Sequence, residues 1–352
     1  MRASPSLATA FFLLLGALGA SNSAVAKDHF RVCWSDYSGA LPWGYAAQQN
    51  VLARWAKKYG ISIDVVRVDT SSDAAKQYAA GQFDGCTMNA LEALTVPAAA
   101  GIDTTALILS DFSAGNDGVL LRGRTQRAQD LKGKTVQVQE NSVAHYVLVR
   151  ALESVQLSEE DVTLTPLTDE GAAFASGTGD ALAISNPALA PLQAGSDRTL
   201  VFSSHRLPGE VVHLFAVNTD TLRTNPALGR ALTGAWFELM KRMSASDEKG
   251  AATLAAVAQS AGTDLLAYQD QLSKTRSFYT PRSAVAFAES PALPAAMQRL
   301  ADFAFSHHML GKATSAQSIG VSFANGVVNG SPANIKLRFE PAFMQVAADG
   351  KL

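Results

Sequence analysis

Ala79-Ala80-Gly81-Gln82-Phe83-Asp84-Gly85-Cys86 and Ala175-Ser176-Gly177-Thr178-Gly179-Asp180-Ala181-Leu182 carry the same short phrase at two places in the chain. Each copy follows a helix-like run, residues 74–80 and 170–175, and leads into a short apolar strand that ends at a polar residue, Asn89 and Asn186. The pattern reads as one α/β unit used twice. In a parallel sheet the carboxyl ends of the strands face the crevice where ligands sit. Two such units predict two facing mouths, and a cleft between two lobes is the simplest geometry that uses both.

The chain starts with an export signature. Arg2 gives a positive start, residues 7–20 form an uncharged apolar stretch, and Ala24-Val25-Ala26 has the small-x-small form of a cleavage site. The apolar run is shorter than the roughly 20 residues a bilayer span needs, so residues 1–26 are expected to be a signal peptide cut after Ala26. No Cys stands at the cut, which favours a free periplasmic protein over a lipid-anchored one. With 29 Lys and Arg against 31 Asp and Glu, and no basic stripe, the chain is not expected to bind nucleic acid. Its length is enough for two lobes, each with its own core. Cys33 and Cys86 both fall on candidate strands of the first half. An oxidising compartment permits a bridge, and buried free thiols fit equally well. No further Cys or His at ligand spacing accompanies them, so no metal is expected there.

Residues 30–34 read as a first buried strand, followed by a loop rich in Gly, Pro and aromatics at 35–45. Ala47, Val51, Leu52 and Trp55 lie at helical spacing within 46–59, and residues 61–68 alternate as a second strand. This strand–helix order predicts a mainly parallel sheet. A polar loop at 110–118 marks the first crossing between lobes, and residues 131–138 begin a fresh α/β unit. A helix starting near Ser142 follows, with Val143, Val147, Leu148, Ala151, Leu152 and Val155 on its buried face. Residues 210–217 mark the return. Beyond them the chain reads as mostly helical, with Asn225-Pro226 and Ser290-Pro291 each opening a helix that packs onto the first lobe.

The polar mouths of this arrangement hold Asp36, Glu92, Asp111, Asp117, Glu140 and Glu210, and Arg206 as their one strong base. Such a set favours a cation or a neutral hydrogen-bond donor over an anion. Glu140 stands where an anion-binding protein would leave the helix start to small hydroxyl or glycine residues. A carboxylate simply capping that helix is the competing reading. Trp34 and Trp43 are the expected aromatic walls. Asn89 and Asn186, at matching ends of the repeated units, offer donors and acceptors, as do Ser142 and His145. There is no nucleophile elbow, phosphate loop or dinucleotide fingerprint, so neither catalysis nor a cofactor is expected.

Two α/β lobes with two crossings, a helical tail, and Asn141-Ser142-Val143-Ala144-His145-Tyr146 after a strand together resemble the periplasmic substrate-binding proteins of ABC importers, in the nitrate/sulfonate/taurine class. Phe174-Ala175-Ser176-Gly177 and Asp130-Leu131-Lys132-Gly133-Lys134 are similar to that class at corresponding places. A closer likeness, to the branch encoded beside urea carboxylase, runs through Val32-Cys33-Trp34-Ser35, Pro42-Trp43-Gly44-Tyr45, Phe83-Asp84-Gly85-Cys86-Thr87-Met88, Gly115-Asn116-Asp117-Gly118 and Leu232-Thr233-Gly234-Ala235-Trp236. The resemblance implies uptake of a small, urea-like or guanidine-like nitrogen compound, delivered to a membrane permease driven by an ATPase.

The expectation is therefore a two-lobed α/β binding protein of the type II periplasmic kind, monomeric, without metal or cofactor and not an enzyme. Lobe one comprises residues 27–116 and 214–352, and lobe two residues 117–213. Trp34, Trp43, Asn89, Asp117, Glu140, Ser142, His145, Asn186 and Glu210 form the expected ligand site, with guanidine ahead of urea because paired carboxylates suit a planar set of N–H donors. A periplasmic enzyme or a ligand sensor on the same fold are the alternatives.

Overall fold

The apolar stretch at 30–34 forms strand β1 (His29–Ser35), with Phe30, Val32 and Cys33 fully buried. The computed structural model describes residues 27–352, so the expected export signal at 1–26 lies outside the described residues. The remaining strands are β2 (Ser62–Val68), β3 (Gly85–Asn89), β4 (Thr104–Ser113), β5 (Asp117–Arg122), β6 (Thr135–Val138), β7 (Thr163–Pro166), β8 (Ala181–Ser185), β9 (Arg198–Ser203), β10 (Val212–Asn218), β11 (Thr275–Ser277), β12 (Gly320–Ser322), β13 (Val328–Asn329) and β14 (Ile335–Arg338). They form two sheets. One runs β13-β12-β14-β4-β10-β3-β1-β2 with β11 added to β4, and the other runs β7-β6-β8-β5-β9.

The repeated phrase occupies the same place in both sheets. Its first copy leads into β3, which lies between its parallel neighbour β1 and antiparallel β10. The second copy leads into β8, which lies between parallel β6 and antiparallel β5. Both sheets are thus mixed rather than nearly all parallel. Besides the short β11 and β13, the antiparallel members are β5 and β10, the first strands after each crossing. Each arrives directly from the other lobe, and antiparallel pairing needs no crossover helix.

Two local expectations change. The helix expected over 46–59 is two helices, Leu41–Gln48 and Val51–Lys58, broken at Asn50, whose φ of 55° is left-handed. Pro42 in the first turn supports an earlier start than the loop reading allowed. The C-terminal region supplies helices Pro226–Met243, Glu248–Ser260, Leu265–Ser273, Pro281–Ala288, Ala292–Ser306 and Ala342–Ala348. It also supplies four short strands, β11 to β14, that extend the first sheet. Strands of two to four residues leave too little alternation to be seen as a pattern.

Helix Val51–Lys58 packs on Pro226–Met243 at Gly234, where a Cβ would come within 2.4 Å of the Trp55 ring. Trp43, Trp236 and Phe215 form the aromatic centre of lobe one, with Trp43 stacked on Trp236 at 5.1 Å. Cys33 and Cys86 pair across β1 and β3 and form a disulfide with both residues fully buried. No described helix is long and apolar enough to cross a membrane.

Candidate functional site

The strand ends of the two sheets face each other across a cavity of about 130 Å³. A water position takes about 10–15 Å³ of such space, so the cavity suits a guest of roughly ten heavy atoms or fewer. Ser35, Tyr37, Thr87, Asn89 and His213 bound it from the first sheet, Val143, Ser185 and Asn186 from the second, and Asn116 and Asp117 from the crossing. No Lys or Arg is among its lining residues.

Two buried carboxylates flank this space. Asp111 belongs to β4, which runs on through the first part of the loop expected at 110–118. Its Oδ1 accepts from the Tyr37 hydroxyl at 2.9 Å and from His213 Nδ1 at 2.9 Å. Tyr37 and His213 stack at 3.7 Å, which holds both donors in place. Burial, followed by the charges of Asp111 and Asp117, pushes the Tyr37 hydroxyl far above its ordinary range, so it remains a donor. Asp117 opens β5, and its Oδ1 accepts from Ser185 Oγ at 2.6 Å, its cross-strand partner on β8. The second oxygen of each carboxylate, and Thr87 Oγ1, are buried with no hydrogen-bond partner in the protein. Buried polar atoms are rarely left so; Asp117 and Thr87 line the cavity, and Asp111 abuts its lining residues Tyr37, Gly39 and His213.

Local structure explains the approach. Gly39 lies so close to Asp111 that a Cβ would meet Oδ2 at 2.1 Å. Asn89 caps the short helix after β3, its Oδ1 accepting from the Glu92 N–H at 2.8 Å while the Glu92 carboxylate accepts from the Asn89 N–H. Burial raises the Glu92 carboxyl, against the pull of the Ser71 hydroxyl and the Asn89 N–H. Asn186 donates to Asn116 Oδ1 at 2.8 Å, and Asn116 Nδ2 holds the carbonyls of Gln271 and Lys274. That chain of amides ties the lobe-two rim to the C-terminal part of lobe one.

Of the residues expected from sequence, Asn89, Asp117 and Asn186 meet at the cavity. Trp43 does not line it, because helix Leu41–Gln48 turns its ring into the lobe-one core. Trp34 is also buried, its ring against Gly44 and under the Arg67 guanidinium at 5.7 Å. Glu140 is exposed and points to no described partner. Ser142 caps helix Val143–Glu153 by accepting from the His145 N–H and borders a neighbouring open part of the cleft. His145 is turned away, donating from Nε2 to Glu159 at 2.7 Å. Glu210 is bound by Arg150, by the Tyr146 hydroxyl at 2.6 Å and by Arg299 at 3.2 Å, so its charge is spent within the protein. Asp36 pairs with Arg67, and Arg206 lies over the Phe202 ring.

Tyr37, Thr87, Asp111, Ser185 and His213 belong to the cavity region without having been singled out as site residues. Asp111 had a readable signal, a carboxylate one residue beyond the apolar run 106–109. His213 had none, since only the β4–β10 register brings it opposite Asp111.

The same two-lobed architecture occurs in solved structures. The periplasmic aliphatic sulphonate binding protein SsuA from Escherichia coli superposes with a TM-score of 0.65 at 18% identity, covering 81% of this chain and 94% of that one. A putative sulfonate ABC transporter periplasmic binding protein from Methylobacillus flagellatus KT gives 0.68 at 14% identity, covering 92% and 95%. The desulfurization enzyme DSZB gives 0.55 at 18% identity, covering 82% and 95%. At such identities the likeness establishes the periplasmic-binding-protein fold and leaves the ligand to this chain's own residues. No curated protein sequence matches the chain. The model of the NMT1/THI5-like family matches residues 45–244, from the first helix through both crossings, and this chain belongs to that family.

Proposed function

We propose that this chain is the periplasmic ligand-capturing component of an ABC importer, handing a small cationic nitrogen compound of the guanidinium type to a membrane permease and its ATPase. The observation that carries this reading is a pair of buried carboxylates, each with an unpartnered oxygen: Asp117, which lines a cavity with no Lys or Arg in its wall, and Asp111, which abuts its lining residues Tyr37, Gly39 and His213. A sulfonate there would face two carboxylates with no Lys or Arg among the lining residues to offset them. A planar cation with several N–H groups can donate to more than one carboxylate.

In this reading Asp111 and Asp117 are the charge partners, Thr87 and Asn89 polar contacts, and Tyr37 a wall. Lobe one, 27–116 with 214–352, and lobe two, 117–213, close on the ligand as a monomer by hinge motion at the two crossings. Urea fits the volume but leaves the carboxylate charge unmatched, so guanidinium ranks ahead of it. An enzyme on the same fold would need a nucleophile or an acid–base pair at the guest. His213 spends Nδ1 on Asp111, and among the described residues no Ser, Thr or Cys hydrogen-bonds its other nitrogen. Cys33 and Cys86 are both in the disulfide.

Calorimetry and thermal shift with guanidinium, urea, acetamidine, taurine and nitrate test the proposal, since stabilisation grows with ligand concentration over Kd. Guanidinium or acetamidine should bind and taurine and nitrate should not. Stoichiometric binding of either anion, with no response to the cations, defeats it. Turnover of a bound amide or amidine would favour the enzyme, and binding by a chain whose gene has no permease or ATPase beside it would favour a sensor.

A further inference from the structure

A second group of titratable side chains bridges the lobes away from the cavity. Glu159, in the short turn Glu159–Asp161 of lobe two, contacts His145 Nε2 at 2.7 Å and His307 Nε2 at 2.9 Å. His145 stands on helix Val143–Glu153 of lobe two. His307 immediately follows helix Ala292–Ser306, which packs on lobe one beside β13 and the helix after β3. Phe303 fills the seam, 4.2 Å from the His307 ring and 5.4 Å from both His145 and Tyr146.

The partners of each ring dictate its protons. His307 Nδ1 lies 2.8 Å from the Phe303 carbonyl, an acceptor, and so carries hydrogen. The Ser306 Oγ also lies 3.0 Å from His307 Nδ1, but its one hydrogen is donated to the same carbonyl at 2.9 Å, so toward the ring it is an acceptor. His307 Nε2 faces the Glu159 carboxylate, also an acceptor, and so carries hydrogen too. A ring that donates from both nitrogens is an imidazolium. His145 differs: its Nδ1 accepts from the Asn141 backbone N–H at 3.1 Å while Nε2 donates to Glu159, the pattern of a neutral ring.

Two imidazoles and a carboxylate with ligand atoms within 4.8 Å of one another have the spacing of a metal site. His145 is oriented against it. A metal on its Nε2 would displace that proton while Nδ1 still faced an N–H, leaving the ring with no hydrogen on either nitrogen, whereas metal-bound histidine keeps an N–H for a second partner. The arrangement fits a proton in place of a metal ion.

We propose that His307 and Glu159 form a proton-operated latch between the lobes, engaged when His307 is charged and Glu159 ionised. This goes beyond the ligand reading, because no atom of the latch lines the cavity. A neutral His307 keeps one hydrogen for two acceptors, so the contact loosens when the ring loses its proton. At acid pH the contact fails again when Glu159 is protonated, a group that His145 and His307 hold below the usual carboxylate range.

Other charges at the seam do not copy this behaviour. Arg299, two turns back on the same helix, pairs with Glu210, which Arg150 also binds, and arginine stays charged throughout. Asp161 is held by Ser158 and Lys132 of its own lobe. Glu160 and His308 are exposed. Protonation of His307 therefore adjusts a seam whose other ion pair, Arg299 with Glu210, is constant. A latch that favours closure raises apparent ligand affinity by enlarging the competent population.

The test uses the ligand-free mature chain and its H307Q and E159Q variants, with small-angle scattering reporting the open fraction at about pH 6 and about pH 8.5, on either side of ordinary histidine titration. The open fraction of the wild type should rise about fivefold across that interval, the low end of coupling between sites. Both variants should be equally open at the two values. ¹⁵N resonances of the wild-type His307 ring should show both nitrogens protonated at the lower pH, a readout that needs no variant to fold. A flat wild-type response, variants that retain the wild-type response, or a neutral His307 ring in the closed form would each overturn the latch. Stoichiometric zinc binding abolished by H307Q would overturn it in favour of a metal site.

Discussion

His213 and Asp111 are cross-strand partners on β10 and β4, and the ring's Nδ1 donates to the carboxylate Oδ1 at 2.9 Å. One strand arrives from the second lobe and the other leads out to it, so the pair sits where the two lobes join. Its geometry keeps one oxygen of Asp111 occupied and leaves the other unpartnered against Gly39, a residue of the cavity lining. The opposite rim repeats the device with Ser185 and Asp117.

Replacing Asp111 or Asp117 with Asn removes a buried charge that a cation would meet directly. Hydrogen bonds to charged groups are worth about 1.5–3 kcal/mol, so guanidinium affinity should fall about 10- to 150-fold in each variant by calorimetry. Any weak urea binding should change far less. Equal losses for both ligands would remove charge complementarity as the basis of selectivity.

Glu140→Gln should leave that affinity within about twofold, because exposed charges interact weakly through water. A tenfold loss would return Glu140 to the ligand's immediate surroundings.

Gly39→Ala tests the cavity wall without replacing a polar residue. Its Cβ would sit 2.1 Å from Asp111 Oδ2 and 2.8 Å from the Tyr37 ring, so the carboxylate must move. Binding should be lost while circular dichroism stays native; unchanged affinity would mean Asp111 faces no guest.

The disulfide closes a loop between residues separated by 53 positions. Cys33→Ser with Cys86→Ser should lower stability by about 2–4 kcal/mol in urea titrations, chiefly by freeing the unfolded chain. Ligand affinity should persist in the folded fraction, since both residues lie fully buried in the lobe-one sheet.

Asp103 sets a sign for acid sensitivity. Burial alone would raise its carboxyl, but Arg338, donating from Nε and Nη2 at 2.7 and 2.6 Å, and Thr219 more than offset this and hold it below the usual range. A depressed folded value means its contribution is present above the unfolded value of about 3.9 and is lost as pH falls through the folded one. The stability gap between wild type and Asp103→Asn should therefore be full at neutral pH and shrink below about pH 4. A gap that widened on acidification would contradict the ion pair.

Helix Pro226–Met243 and the capped start of Val143–Glu153 were readable because their cause is local, an apolar stripe and a cap within a few turns. Trp43 misled for the same reason. Pro and Gly beside an aromatic suggested a loop, and only the helix built on Pro42 turns the ring toward Trp236, far away in the chain. Glu210 looked like a free carboxylate because its partner Arg150 lies 60 positions earlier.

From sequence alone followed the doubled α/β unit, the two crossings between lobes and the acidic bias of the strand-end loops, all of which depend on short-range pattern and composition. Tertiary structure alone decided which acids lie at the cavity and which are spent inside the protein. A carboxylate is spent or available according to the donors that distant strands bring within about 3 Å of it, and that register, as in Asp111 against His213 or Glu210 against Arg150, is set by sheet pairing and lobe packing.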